Sequence, residues 1–400
     1  MASNNKRGIL FIAENLPVPL HRRIWNEAVT LAEAGWPVMV ICPRTRAFPA
    51  SYEFLEGVHV YRHPMPLEAK GIPGFVLEYG SALFWETWLA WRIYFRHGFS
   101  VIQISNPPDW LFLVAVPFKW LRGVRLVFDH HDPFPELFTV KFPRQTGLQR
   151  LTLLAERLTF RAADRVVTTS AALQRLALQR GKVDPRHITL VRSGLDLSQH
   201  LDVPPVPALK EGRPHLVLYL GIIGSQDGVD HLLAAAHYLI HVQGRRDTLF
   251  LVVGDGTALA ELKETARALG LEEHVRFTGY LTGTPLYQAL ATADVGVCPD
   301  PWNVFNDKLS MHKILEYMAW GIPILMYPLT ENTLLAGEAA LAADGNDPLA
   351  LGRGLAMLLD DPERRQRMTA IGRERSKLFA WQTQVGGYLR VFDELTQADG

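Results

Sequence analysis

Lys313, Glu316 and Tyr317 stand at i, i+3 and i+4 in one short amphipathic run. On a helix that spacing puts an ammonium, a carboxylate and a phenol on a single face. Ser310, three residues ahead of Lys313, predicts the N-cap, since its hydroxyl can accept from the unpaired amides of a first turn. Such a helix start is an anion site, because its open N–H groups and the macrodipole both favour negative charge. Gly321-Ile322-Pro323 then stops the helix. A cation near a phosphate, with a carboxylate one turn deeper to accept sugar hydroxyls, suits a nucleotide diphosphate. The same residues also describe an ordinary capped helix with a surface Lys–Glu pair, and the pattern alone does not choose.

Other clusters point the same way without deciding it. The loop after Leu218-Tyr219-Leu220-Gly221 carries Gly224, Ser225 and Gln226 into a helical run, a geometry that supports phosphate through backbone amides or serves packing alone. Gly254-Asp255-Gly256 follows an apolar strand, and Phe277 to Tyr280 ends the next; turn chemistry explains these equally well. Phe128-Asp129-His130-His131-Asp132 holds four competent metal ligands, but neighbours at a strand end point in opposite directions, so no metal is expected. One imidazole, assigned to His131, is left to face a ligand in the cleft, with Asp132 and Glu136 near it to orient a second one. Arg22 and Arg23 open the helix after the first strand, either as an anion contact or as a solvated pair.

The elements that must carry these residues alternate between β-branched runs and helical periods. Strands are expected at 8–13, 37–42, 59–62, 101–104, 125–129, 165–169 and 189–191, and helices at 21–34, 79–96, 110–121, 148–162 and 171–180. After a Pro-rich stretch the alternation restarts at 216–220 and runs through 324–326. This predicts an α/β chain of two Rossmann-like, doubly wound parallel sheets, with ligands at the carboxyl ends of the strands, in a cleft between them. The expected boundaries are a first domain at 1–201, a linker at 202–214, a second domain at 215–380 and a closing helix at 381–400 that returns to the first.

Composition narrows the setting. The 400 residues, 48% hydrophobic, can bury a full core and are enough for two or three domains. Net charge is zero, yet residues 1–200 hold 24 Lys/Arg against 16 Asp/Glu, and residues 201–400 hold 17 against 25. A basic first half fits an anionic surface or acceptor, or charge spread over solvated helices. Cys42 and Cys298 lie in apolar runs and read as buried thiols of a reducing compartment. The opening residues carry no signal-peptide pattern, and no window reaches the ~18–20 uncharged apolar residues of a spanning helix. A cytoplasmic protein, or one on the inner face of the cell membrane, is expected. Residues 75–99 and 110–120 interleave Trp, Phe and Tyr with Arg92, Arg96 and Lys119, which suits either a helix buried on the sheet or a membrane interface. Nothing in the sequence points to nucleic acid.

Taken together, these motifs resemble a known family. Ser310-Met311-His312-Lys313-Ile314-Leu315-Glu316-Tyr317-Met318-Ala319-Trp320-Gly321-Ile322-Pro323 is similar to the donor-site signature of family 4 glycosyltransferases, which have the GT-B fold. The likeness runs from Ile9 through Tyr388, by way of Glu14-Asn15-Leu16-Pro17, Asp129-His130-His131-Asp132, Ala163-Asp164-Arg165 and the 221–230 loop. It implies a retaining, metal-independent hexosyltransferase whose nucleotide-diphosphate sugar is a co-substrate and not a resident cofactor. The acceptor it implies is a glycan or lipid-linked glycan of polysaccharide or glycolipid assembly, with diphosphate departing from the face the acceptor attacks. Glu316 matches the second Glu of the family's Glu-seven-residues-Glu signature and would bind ribose; Ser310, Met311, Asp255, Phe277 and Tyr280 would line the donor site. Two departures stand out. Ile222 and Asp227 lie near positions where the family places Arg and Lys, so Lys313 would carry more of the diphosphate's charge, helped by Arg22 or Arg23. Lys308 replaces the first Glu, so Asn306 and Asp307 would inherit the sugar's hydroxyls. A hydrolysing nucleotide-sugar epimerase of the same fold, and a degenerate sugar-nucleotide-binding subunit, are the rival readings.

Overall fold

A computed structural model describes residues 8–64, 71–197 and 203–397. The chain divides into two compact units, Met1–Arg192 with Gln384–Gly400, and Ser193–Thr383. This division precedes the 202–214 stretch expected as a linker, of which residue 202 lies outside the described residues. Residues 206–216 are tied to the second unit: Val206 N–H donates to Thr292 Oγ1 at 2.8 Å, and Asp294 accepts from Lys210 and from Leu216 N–H at 2.7 Å each.

The first unit is built on eight strands: β1 Ile9–Ala13, β2 Val38–Pro43, β3 Tyr52–Leu55, β4 Val58–His63, β5 Val101–Ser105, β6 Arg125–His130, β7 Arg165–Thr168 and β8 Ile188–Leu190. Their order is β3-β4-β2-β1-β5-β6-β7-β8, parallel except for β3 against β4. The β3 strand was not expected. Glu56 and Gly57, both with positive φ (48° and 82°), make the tight hairpin turn that reverses the chain there. The central strands are buried on both faces, which is why they read as unbroken apolar runs instead of alternating ones. Phe134–Lys141 forms a further helix absent from the sequence reading, and the aromatic helix is longer than expected, Gly71–His97.

From Gln384 the Trp381–Gln397 helix belongs to the first unit, where the buried Tyr388 hydroxyl donates to Gln103 Oε1 at 2.8 Å. The second unit has six parallel strands: β9 His215–Leu220, β10 Thr248–Val253, β11 Val275–Gly279, β12 Val295–Cys298, β13 Ile324–Met326 and β14 Ala340–Ala342. Their order is β11-β10-β9-β12-β13-β14. Apolar clusters cover both of its faces, one around Leu232, Phe250 and Leu355, the other around Leu218, Ile314 and Met318. Among the described residues no helix is long and apolar enough to cross a membrane.

Candidate functional site

In the second unit the chain moves outward from β9 to β11, then returns to β12 on the other side of β9. That reversal leaves a crevice at the carboxyl ends of β9 and β12, where open α/β sheets bind ligands. Three loops meet there. The 221–228 loop after β9 is stitched to the turn after β10 by Gly221 N–H to Val253 O at 3.1 Å and Ile223 N–H to Asp255 O at 3.0 Å. Gly254 (φ 145°) must be glycine, because a Cβ there would lie 1.8 Å from the Gly221 carbonyl oxygen. Gly228 (φ 70°) is held as tightly, 2.1 Å from Pro299 O by the same measure.

Asp227 closes the loop on itself. Its Oδ2 accepts from Gly224 N–H at 2.8 Å and from Gln226 Nε2 at 3.2 Å, so a carboxylate occupies that loop amide. Ser225 and Ile222 are exposed at the loop tip. Asn306 is buried, its Nδ2 donating to Gln226 O and Pro301 O at 2.9 Å each. Asp307 accepts from Thr330 N–H at 2.8 Å and from Thr330 Oγ1 at 3.2 Å. Both side chains are thus engaged inside the protein. These hydrogen bonds hold the two loops in register around the residues expected to meet the sugar.

The expected helix is His312–Trp320, and its N-cap position falls on Met311, one residue past Ser310. Met311 N–H is met by Asn332 Oδ1 at 3.0 Å. The three residues expected on one accessible face divide between core and surface. Tyr317 is fully buried and donates toward Leu218 O while accepting from Leu220 N–H at 2.9 Å, which locks the helix to the end of β9. Lys313 is 8% exposed, with Nζ 2.8 Å from Asp300 Oδ2 and 4.6 Å from the Tyr219 ring centroid. Burial alone would lower its pKa, but Asp300 outweighs burial and holds the ammonium well above its usual range. Glu316 remains half-buried on the same helix. Asp300, fully buried and also accepting from Cys298 Sγ at 2.9 Å, is the residue the sequence reading missed. An acid between two prolines immediately after an apolar strand was its signal. Asp255 caps the Gly256 amide at 2.8 Å; Phe277 is half-buried against the core, and Tyr280 is exposed.

The first unit has its own polar centre where β5 and β6 end. Arg23, expected as an anion contact, is buried and bidentate to Asp129 (2.7 and 3.0 Å), with Glu27 at 2.8 Å and Val191 O at 3.0 Å. Its guanidinium is thus engaged with Asp129 and Glu27 within the unit. Arg22 is exposed. Asp129 is buried, yet Arg23 holds its carboxyl well below the ordinary range, so it accepts from His131 Nδ1 at 3.2 Å. The contact holds the ring in place through Nδ1 and leaves Nε2 as the nitrogen it does not use. His130 instead sits between Phe128 and Phe160, and burial pushes its pKa down to about 3. The divergence of the two histidines follows the strand geometry, and among the described residues no group of three His, Cys, Asp or Glu could hold a metal ion. Asp132, half-buried, is raised in pKa by burial. Glu136 is gripped by Arg180 at 2.8 and 3.0 Å, a structural partnership the sequence did not reveal.

Comparison with known proteins follows this division. The family model described as Glycosyltransferase Family 4 matches residues 20–199, and that described as Glycosyl transferases group 1 matches 214–361. The chain is 24% identical to a glycogen synthase of Mycobacterium tuberculosis, covering 93% of this chain and 90% of the relative. It is 26% identical to a D-inositol 3-phosphate glycosyltransferase of Salinispora tropica, covering 93% and 80%. Among solved structures, a sucrose-phosphate synthase from Thermosynechococcus elongatus superposes with a TM-score of 0.81 at 19% identity, covering 98% of this chain and all of that one. Anabaena HepE in complex with UDP-glucose gives 0.73 at 17%, covering 97% and 100%. These likenesses show the GT-B fold, and with both family models matched in order along its two halves, the chain belongs to the family 4 glycosyltransferases.

Proposed function

We propose that this protein transfers a sugar, with retention of anomeric configuration, from a nucleotide-diphosphate donor to a hydroxyl of a glycan or lipid-linked glycan. The reading rests on one observation above the others: a buried, positively charged Lys313 lies beneath a glycine-built loop at the strand reversal of the second unit. The donor's diphosphate would take the amides of that loop and of the His312–Trp320 helix start, displacing the Asp227 carboxylate from Gly224 N–H. Lys313 would add a fixed positive charge below them, worth most as the diphosphate departs. Glu316 would accept the ribose hydroxyls, while Asp255, Phe277 and Tyr280 border the base. Asn306 and Asp307 would hold the loops in register.

In the first unit His131 would face the donor sugar or the acceptor, with Asp132 beside it and Arg22 meeting an anionic group, and the reacting hydroxyl's proton would be left to the diphosphate. No side-chain nucleophile is assigned. The departing diphosphate oxygen would take the acceptor proton on the same face of the sugar, so the sugar–phosphate bond breaks as the new glycosidic bond forms. The sugar nucleotide is a co-substrate, and no resident cofactor takes part in this scheme. The cell interior, on the inner face of the membrane, is the setting it fits.

A panel of sugar nucleotides, UDP-glucose among them, screened by thermal shift would identify the donor, since ligand bound to the native state raises apparent stability. Incubation of the hit, labelled in its sugar, with candidate acceptors is then expected to give an α-linked product from an α-linked donor. An inverted product, or sugar turnover that needs no acceptor, would reject the reading.

A further inference from the structure

The Gly71–His97 helix buries Leu89, Ala90 and Ile93 in the core of the first unit, and it leaves a second apolar stripe uncovered. Leu77, Phe84, Trp88 and Phe95 are all exposed, Phe95 at 73%. At 100° per residue these four fall within about 40° of one another and run for about 27 Å along the helix. Scattered surface aromatics need no explanation, but a continuous stripe does. The neighbouring helix, Phe112–Arg122, lies alongside through Trp91 against Phe118 at 4.2 Å, and it exposes Leu113 and Trp120 (81%) on one line. The third, Thr146–Ala162, is joined to the second where Lys119 Nζ donates to Ala162 O at 2.7 Å, and it exposes Leu151 and Leu158. All three contribute to the same core cluster on one face of the sheet, so their outer stripes form one surface.

The charge on that surface has one sign. Arg92, Arg96, Arg122, Arg150, Arg157 and Arg161 are exposed on these helices. Their carboxylates are Glu86 and Glu156, both fully buried, and Glu78, half-buried; Asp164, just beyond the third helix, is paired with Lys119. The Arg92 guanidinium lies 5.4 Å from the Trp88 ring centroid, the arrangement in which a cation and an aromatic share an interface. Aromatic rings and leucines beside arginines, on helices too polar elsewhere to cross a membrane, describe a surface that lies in the headgroup boundary.

We propose that this three-helix face of the first unit docks on an anionic lipid bilayer. The apolar stripes enter the boundary between headgroups and acyl chains, and the arginines meet lipid phosphates. The inference deepens the acceptor part of the function proposed above, since it would set the acceptor-binding unit at a surface bearing lipid-linked substrates. Its physical basis, the patch itself, does not depend on the chemistry at Lys313.

Vesicle flotation of the full chain tests it. Wild-type protein is expected to float with phosphatidylcholine vesicles containing phosphatidylglycerol and not with phosphatidylcholine alone, and added salt is expected to release it. Arg92→Glu/Arg96→Glu is expected to weaken binding by about 30-fold or more, since each basic residue near an anionic surface contributes about a fivefold factor. Phe84→Ser/Phe95→Ser/Trp120→Ser is expected to abolish flotation. These exposed positions leave the core intact, so unchanged thermal unfolding verifies the fold of each variant. Failure to float with anionic vesicles would overturn the proposal, as would equal binding to neutral ones. So would a concentration-dependent dimer that the triple-serine variant abolishes without any vesicle binding, which would assign the face to a second copy. The sugar-nucleotide thermal shift, measured without vesicles, reports separately: its absence beside intact flotation counts against the transferase reading alone.

Discussion

Replacing Lys313 by methionine separates what its charge does for folding from what it does for transfer. Methionine keeps the length of the side chain and removes the ammonium, leaving Asp300 fully buried without its cation. Breaking one partner of a buried pair costs about 3–5 kcal/mol, so Lys313→Met alone is expected to unfold at markedly lower temperature. Its transfer rate would then fall for two reasons at once. Adding Asp300→Asn removes the orphaned carboxylate; asparagine can still accept from Cys298 Sγ, now 2.9 Å from Oδ2. Stability in the double variant is expected to return to within about 1 kcal/mol of wild type, since deleting both members of a buried pair is often close to neutral. Transfer is not expected to return. A preorganised charge facing a developing one is worth about 10²-fold or more in rate, and the double variant still lacks it. Thermal unfolding and kcat/KM for the identified donor, measured on all three variants, make the comparison. A double variant that recovers transfer to within about threefold of wild type would refute the reasoning, because Lys313 would then be a structural partner of Asp300 and nothing more.

Asp227→Asn keeps an acceptor for Gly224 N–H but removes a negative charge from the loop assigned to the diphosphate; isothermal titration is expected to show donor binding tighter by about fivefold, the worth of about one charge at ~4 Å in a water-like dielectric. Unchanged or weaker binding would move the diphosphate elsewhere. Asp307→Ala is expected to lose about 1 kcal/mol of stability through the uncapped Thr330 amide, with a proportionate and small loss of activity; a ~10²-fold loss of kcat with stability unchanged would instead assign Asp307 a direct contact with the sugar. His130, normally titrating near 6.5, is pushed down to about 3, so the unfolded chain takes up its proton first as pH falls. Its contribution is intact above pH 6.5 and declines toward pH 3, by at most about 1.4 kcal/mol per pH unit. In urea unfolding across that window His130→Phe, matched to its Phe128 and Phe160 neighbours, is expected to lose less stability than wild type, and parallel curves would exclude buried neutral histidine as the cause.

What the sequence disclosed followed from periodicity and local chemistry. The two doubly wound sheets were legible because parallel strands buried on both faces leave continuous apolar runs between helical periods, as in β10 and β2. The β3 strand was not, since four residues with only their alternate side chains half-buried make a weak signal and the Glu56-Gly57 turn went unread. The Lys313 helix was located to within one residue at its start, but helical spacing alone cannot tell which face meets the sheet. Its true arrangement, Lys313 and Tyr317 inward and Glu316 half-buried, depends on Asp300, 13 residues back on another element, and on the end of β9, 97 residues from Tyr317. Arg23 illustrates the same limit: its partners Asp129 and Val191 are 106 and 168 residues away, and only the strand order of the sheet from β1 to β8 brings them together. Ion pairs across a sheet leave no mark on local pattern.

Crystals of the protein grown with its sugar-nucleotide donor would test the central claim most directly. The expected density places the diphosphate against the 221–228 loop and the start of the His312–Trp320 helix, with Asp227 displaced from Gly224 N–H and a ribose hydroxyl within about 3 Å of Glu316. Donor bound anywhere else, or bound there with Glu316 turned away and Asp227 still closing the loop, would contradict the account.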